Sequence, residues 1–220
     1  MITDVVIIGG GTPNEWPDLS SFSNETTAFI GVDRGSLYGL KASFSIEQAV
    51  GDFDSLSDEE WTWLQDKVPV IERCAAEKDD TDMQLGVLAA MVKYPEANYH
   101  LIGATGGRLD HYLSNLWLPL QERFLPFISQ IFITDSQNSV SYFLPGEYTI
   151  VKEEDKPYLA YVCLTAVKSL SLYDAKYQLD RVDFNIPTSL SSNEFVGQTS
   201  RFSFSEGIMC VIQSKDKKRS

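Results

Sequence analysis

The sequence predicts an α/β N-terminal domain (1–135) on a mostly parallel, three-layer, Rossmann-like sheet, then a C-terminal all-β domain (136–220). Three observations carry this. In the first half short apolar runs alternate with helical patterns, the signature of strand–helix–strand units and a parallel sheet. Most of those runs end in a Gly-rich turn. From about residue 136 the texture changes to short Val-, Tyr-, Phe- and Ser-rich segments separated by Gly, Pro or Asn, without long amphipathic helices, which reads as an antiparallel sandwich or barrel.

Taken in order, VVIIGGG (5–11) and AFIGVDRG (28–35) are buried strands running into Gly-rich turns. AVGDFDS (49–55) ends in a similar loop. SDEEWTWLQDKV (57–68) opens with Ser57 and Glu60 at the spacing of a capping box, so a helix follows. VPVIERC (68–74) is a further strand. In DDTDMQLGVLAAMVKY (79–94), Thr81 can cap a helix rich in Leu, Met and Ala. NYHLIGATGGR (98–108) reads as strand and Gly-rich turn, and LDHYLSNLWL (109–118) as a helix ended or kinked by Pro119. Beyond residue 136, NSVSYFLPGEYTIV, YLAYVCLTAV, KSLSLYDAKYQL, TSRFSFSEG and IMCVIQS supply the β segments, and the tail KDKKRS is expected to fray.

Composition narrows the function classes. The chain of 220 residues is 43% hydrophobic and 22% charged, ordinary for a globular protein, and carries a formal net charge of −13. That charge opposes nucleic-acid backbones and anionic membranes as partners. Cys74, Cys163 and Cys210 are odd in number and in no metal-ligand spacing, which points to a reducing cytoplasm. MITDVVIIGGG lacks the basic start of a signal peptide, and no apolar run reaches the ~18–20 residues of a membrane span.

Acidic and polar residues recur where strands end or helices begin. They are Asp33 in GVDRGS, Asp52 and Asp54 in GDFDS, Asp79, Asp80 and Asp82 in KDDTD, and Arg108, Asp110 and His111 in GGRLDH. Each alone is an ordinary turn former or helix cap. Strand ends of one parallel sheet share an edge, however, and carboxylates converging there call for a cation. Mg²⁺ takes a few carboxylates together with phosphate oxygens and water. In GDFDS an extended backbone would put Asp52 and Asp54 on one side, roughly 7 Å apart. Asp79 and Asp82, three apart, can share a face as their helix begins, with Asp80 turned to solvent. Thr81 and the helix N-terminus offer a hydroxyl and amides to a phosphate, and Lys78 can balance its charge. Arg108 follows GATGG, where the backbone can approach a ligand; its alternative role is an ion pair with Asp110. His111 is a secondary candidate. VIIGGGTPNEW matches no standard nucleotide fingerprint, and His100 and His111 form no Ser-His-Asp set.

GVDRGSLYGL, GDFDSL, EKDDTDMQLGVLAA and GATGGRLDHYLSNLWLPL, in this order and spacing, resemble thiamine pyrophosphokinases of the bacterial type. The likeness continues through DSQNSVSYFLPG, AKYQL and LSSNEFVGQTSRFSFSEGIMCVIQS, nearly the whole chain. It implies an α/β catalytic domain that binds ATP and Mg²⁺, a C-terminal β-sandwich for thiamine binding and dimerisation, and a cytoplasmic homodimer with active sites at its interface. By matching position it implies Mg²⁺ on Asp52, Asp54 and Asp82 with Asp33 and Gly35 beside the nucleotide. It places Asp79 and Thr81 in the family's D-x-T-D segment, Arg108 and Asp110 in its G-R-x-D segment, and Tyr177, Ser192 and Asn193 near thiamine, with Lys78 beside the first of these segments. Arg34 replaces the first glycine of the usual D-G-G turn, FSIEQAV lacks the usual proline, and Asp174 stands where glycine is common.

The implied reaction is transfer of a diphosphate from ATP to the thiamine hydroxyl, giving thiamine diphosphate and AMP, with Asp79 a candidate to orient or deprotonate the hydroxyl. Two alternatives stand beside it. AVGDFDSL resembles the D-x-D segment of haloacid-dehalogenase-type phosphatases, with Asp52 as nucleophile. A non-catalytic sensor of thiamine diphosphate or nucleotide is the other, although binding an anion needs no surplus of carboxylates.

Overall fold

The computed structural model describes residues 1–22, 24–75 and 79–217. The chain forms two compact units. The first comprises Met1–Leu125 and Gln130–Ser136; the second comprises Pro126–Ser129 and the described chain from Gln137 onward.

In the first unit six strands run parallel: β1 (Asp4–Ile8), β2 (Thr27–Val32), β3 (Ile46–Gly51), β4 (Val70–Arg73), β5 (Asn98–Ile102) and β6 (Ile131–Thr134). Their order is β6-β5-β1-β2-β3-β4, with Ile7 of β1 opposite Ile30 on one side and Leu101 on the other. Val5, Val6, Ile7 and Ile8 are all fully buried. An apolar run without alternation is what a strand covered on both faces requires. Among the described residues four α-helices accompany the sheet: α1 (Arg34–Lys41), α2 (Asp58–Lys67), α3 (Asp82–Lys93) and α4 (Leu109–Trp117). Val6 and Ile8 pack in one cluster with Leu37 of α1 and Leu64 of α2. Ile7 and Val32, on the opposite side of the pleat, come up against Gly86 of α3.

The capping residues act as their spacing predicts. Ser57 accepts from the Glu60 amide at 3.2 Å while Glu60 accepts from the Ser57 amide. Thr81 and Gln84 form the same reciprocal pair at the start of α3. α4 stops at Trp117, and Pro119 falls in a short 3-10 turn, Leu118–Leu120. Two elements of this unit escape the sequence reading, as do two strands of the second unit, Leu179–Phe184 and Thr188–Glu194. α1 hides in what reads as a Gly-rich turn, because Gly35 and Gly39 supply close packing: a Cβ on Gly39 would lie 2.7 Å from Ile46 Cδ1. β6 is too short, IFIT, to carry a pattern of its own.

The second unit is β-rich. β7 (Asn138–Phe143), β9 (Tyr158–Cys163), β12 (Thr188–Glu194) and β14 (Met209–Ser214) pair antiparallel in the order β12-β9-β14-β7. β8 (Gly146–Val151), β10 (Val167–Leu172), β11 (Leu179–Phe184) and β13 (Thr199–Phe204) form an antiparallel sheet in the order β11-β10-β13-β8. Inward residues of both sheets share one cluster: Leu159, Tyr161, Met209 and Val211 meet Leu170, Leu172, Phe202 and Phe204. Phe202 lies edge-on to Phe143 with centroids 5.2 Å apart, and the Tyr161 hydroxyl is satisfied by Ser200 at 2.7 Å. Two residues of the tail read as frayed are tied to the unit. The Lys215 amide donates to Gln137 O at 3.0 Å and Asp216 accepts from the Tyr158 hydroxyl at 3.0 Å; residues 218–220 lie outside the described chain.

Candidate active site

Parallel strands put every carboxyl end on one edge, and at that edge the first unit opens a cavity of about 830 Å³. Its walls come from the turns after β1, β2, β3 and β5, from the segment leading into α3, and from α4. Asp33, Asp52 and Asp82 all line it. Their proximity registers in Asp33, whose carboxyl is held above its ordinary range first by burial and then by the charges of Asp82 and Asp52. One Asp33 oxygen, Oδ1, is buried with no hydrogen-bond partner among the described residues; the other accepts from Ser55 Oγ at 3.3 Å. The Asp33 backbone sits at φ 47°, a region costly for a residue with a Cβ, between the end of β2 and the start of α1. Arg34, the residue that departs from the family's glycine, donates to Ser55 O and pairs with Glu60 at 3.6 Å. It thereby ties the GDFDS loop to two helices.

Asp54 does not share the face of Asp52. Phe53 is buried against Trp61, centroids 5.2 Å apart, and takes φ 60° to get there. The left-handed turn breaks the extended i, i+2 geometry, so Asp54 is exposed outside the cavity wall, its amide donating to Asp52 Oδ1 at 3.1 Å. The Asp79 and Asp80 expectations are also reversed. The helix starts at Asp82 with Thr81 as its cap, so helical spacing does not reach Asp79, which is exposed and off the wall. Asp80 lines the cavity and is gripped by Arg123, whose Nη1 donates to Oδ2 at 3.0 Å. Thr81 lines the cavity while its hydroxyl serves the cap. Lys78 lies outside the described residues.

Arg108 reaches the cavity wall and pairs with Asp110, Nε to Oδ1 at 3.1 Å; that pairing holds the Asp110 carboxyl down to about 2. Asp110 itself is off the wall, whereas His111 is on it. Gly35 is not a lining residue. It is buried, and a Cβ there would stand 2.0 Å from Ile8 O, so its glycine serves the packing of α1 on β1. Tyr177, Ser192 and Asn193 lie in the second unit. Tyr177 is 61% exposed. Asn193 is buried, and its amide is spent on Tyr177: Oδ1 accepts from Tyr177 N at 2.9 Å and Nδ2 donates to Tyr177 O at 2.9 Å. Ser192 takes φ 61° at a register break in β12.

Sequence reasoning missed one wall entirely. Gly9–Thr12 and Glu15 line the cavity, with Gly11 N donating to Gly103 O at 2.9 Å and the Ser136 amide reaching Glu15 O at 2.8 Å. Gly103 has φ 59°, and a Cβ there would collide with Gly9 O at 2.6 Å. The available signal was position: GGG follows an apolar strand just as the other Gly-rich turns do, although it matches no fingerprint. Thr105, Ser114 and Asn115 were also missed. Thr105 donates to Asp135 at 2.7 Å and the buried Asn115 to Ala104 O at 2.8 Å, pinning the GATGG turn from two sides.

Among the described residues no three His, Cys, Asp or Glu side chains close up into a cage for a metal. The donor set nevertheless fits a hard cation. Asp33, Asp52 and Asp82 present only oxygen, one buried Asp33 oxygen lacks a donor, and Mg²⁺ keeps places for phosphate and water.

The fold and site define an α/β protein with a carboxylate-lined cleft at the strand ends, joined to a β-rich unit. Residues 19–126 match the thiamin pyrophosphokinase catalytic domain and residues 147–209 its vitamin B1 binding domain. The chain is 35% identical over 212 residues to thiamine pyrophosphokinase of Bacillus subtilis (strain 168), covering 96% of this chain and 98% of that protein. Among solved structures it is similar to a thiamin pyrophosphokinase family protein from Enterococcus faecalis, with 47% identity, a TM-score of 0.94 and coverage of 98% and 100% of the two chains. It is also similar to the Bacillus subtilis thiamine pyrophosphokinase structure, with 34% identity, a TM-score of 0.87 and the same coverage. The chain belongs to the thiamin pyrophosphokinase family.

Proposed function

We propose that this protein transfers a diphosphate group from ATP to the hydroxyl of thiamine, making thiamine diphosphate and AMP. The observation that carries the reading is the presence in one chain of matches to both the catalytic and the vitamin B1 binding domains of the family. Neither the phosphatase nor the sensor alternative finds support in the comparisons. We read residues 1–135 as the three-layer, Rossmann-like domain for ATP and Mg²⁺, and residues 136–220 as the sandwich for thiamine and dimerisation.

The thiamine hydroxyl oxygen forms a bond to the β-phosphorus as the bond from that phosphorus to the α,β-bridging oxygen breaks. AMP departs with the bridging oxygen, and the hydroxyl proton passes to a cavity carboxylate or to water. Such transfers rest on positioning and charge neutralisation. Asp52 and Asp82, with Asp33 beside them, would hold Mg²⁺, which when bound supplies positive charge to the polyphosphate. Asp54 belongs to the same proposed set through the resemblance, although it stands one turn off the wall. Arg108 is free to exchange Asp110 for a phosphate oxygen, since both side chains are exposed. The first amides of α3, behind Thr81, suit a phosphate as well. Gly35 and Asp110 support the nucleotide side from behind, and Tyr177 offers thiamine a ring held by Asn193, next to Ser192. Asp79 belongs to the proposed set through the resemblance, as a group to orient the hydroxyl or accept its proton, although it stands off the wall.

We also propose a homodimer. On α4 the polar Asn115 is buried while Leu109 and Trp117 are 69% and 52% exposed, an apolar face that a second copy would cover. A cytoplasmic setting suits the three thiols, and no helix among the described residues is long and apolar enough to cross a membrane.

Chromatography of the purified protein with Mg²⁺, ATP and thiamine tests the reading. The expected result is AMP and thiamine diphosphate in equal amounts, both dependent on thiamine. Phosphate release without acceptor would favour the phosphatase, and binding without turnover the sensor.

A further inference from the structure

We infer that Arg123, which lies off the cavity wall, is a positioning residue that acts on the reaction through Asp80. The inference rests on the diphosphotransfer reading above. Asp80 lines the cavity immediately before Thr81 and Asp82. Arg123 holds it with a two-pronged grip, Nη1 to Oδ2 at 3.0 Å and Nη2 to Oδ1. The guanidinium is itself fixed before it grips. Nε and Nη2 donate to Gln121 Oε1 at 3.2 and 3.1 Å, and its carbon stands 4.8 Å over the ring of the fully buried Phe124. A fork restrained at three points presents fixed geometry, which a lysine cannot reproduce.

The grip joins the segment entering α3 to the chain that follows α4. That segment walls the cavity, so the grip sets where Thr81 and Asp82 stand. Arg123 therefore acts mainly on the binding of the Mg²⁺–ATP complex.

Steady-state kinetics of Arg123→Gln, Arg123→Lys, Asp80→Asn and the double variant Asp80→Asn/Arg123→Gln test this, with thermal melting to show that each is folded. Arg123→Gln is expected to raise KM for Mg²⁺–ATP about five-fold, with a smaller change in kcat and none in KM for thiamine. Asp80→Asn and the double variant should raise KM for Mg²⁺–ATP to the same extent as Arg123→Gln, because each opens the same grip, and Arg123→Lys should lie between wild type and Arg123→Gln. If Arg123→Gln melts early but leaves KM for Mg²⁺–ATP unchanged, or if the double variant is impaired by the product of the two single effects, the inference is overturned. Should Arg123→Gln not fold, Asp80→Asn decides: a raised KM for Mg²⁺–ATP supports the inference and an unchanged or lower one overturns it. A wild type that makes neither AMP nor thiamine diphosphate brings down the functional reading and the inference together. A wild type that turns over beside variants with its own KM brings down the inference alone.

Discussion

Asp33 concentrates the tension of the site in one residue. It has a left-handed backbone, a buried oxygen without a donor, and two like charges close enough to weaken its acidity. A folded protein keeps such a group only where the arrangement serves something else. Asp33→Asn removes the repelled charge and tolerates positive φ better than most residues. The expected outcome is a higher melting temperature at pH 7 together with a loss of turnover of about 10²-fold. Asp52→Asn should lose activity on the same scale, and Asp54→Asn distinctly less; an Asp54→Asn enzyme as impaired as Asp52→Asn would show that the loop turns inward during catalysis. Far from the strand ends, His100 shows how burial decides protonation. Its Nε2 lies 2.8 Å from Asp4 Oδ1, and its ring sits against Phe22 and Phe132. Burial pushes its pKa below the ordinary 6.5 despite the pull of Asp4. Burial opposes ionisation of Asp4, yet hydrogen bonds from His100, Thr3 and Asn98 leave that carboxyl lowered. The unfolded chain therefore binds His100's proton more readily than the folded one. Stability from this residue is complete above pH 6.5 and is lost as pH falls toward its folded value. Urea midpoints measured across that range should decline with acid in the wild type and decline less in His100→Gln.

At the scale of elements, two helices with the same cap serve different ends. α2 and α3 both begin with a reciprocal capping box, Ser57 with Glu60 and Thr81 with Gln84. Each cap satisfies amides that would otherwise have no partner, so Ser57→Ala and Thr81→Ala should each cost about 1 kcal/mol of stability. Only Thr81 stands on the cavity wall. Thr81→Ala is therefore expected to raise KM for Mg²⁺–ATP, while Ser57→Ala lowers stability alone; equal kinetic effects would remove α3's N-terminus from the phosphate site. The caps were legible in the sequence because they depend on residues three apart. α1 was not, because Gly35 and Gly39 look like turn formers until the strand against which they pack is in place.

For the whole molecule, the exposed apolar face of α4 makes a measurable statement. Sedimentation should show a dimer, and Trp117→Lys should weaken association; a wild type that sediments as a monomer at micromolar concentration would rule the dimer out. The two units differ in what holds them. The first is organised around a parallel sheet with helices, and its cleft lies at the strand ends, where the loops are set by long-range pairings. The second is held by cross-strand pairs and one aromatic cluster around Phe202, and its proposed thiamine residues depend on a single buried amide, Asn193.

From the sequence alone came the change from α/β to β-rich texture, most helices and strands, the Ser57–Glu60 capping box, the Thr81 cap and the recurrence of Asp at strand ends. All of these depend on neighbours within a few positions, where periodicity and capping chemistry act. Only the tertiary structure decided which Asp residues face the cleft. Phe53 had to find Trp61 before Asp54 was turned away, and Asp80 is held by an arginine 43 residues downstream. Burial and long-range pairing set the direction of a side chain in a loop, and neither is encoded in the spacing of the residues around it.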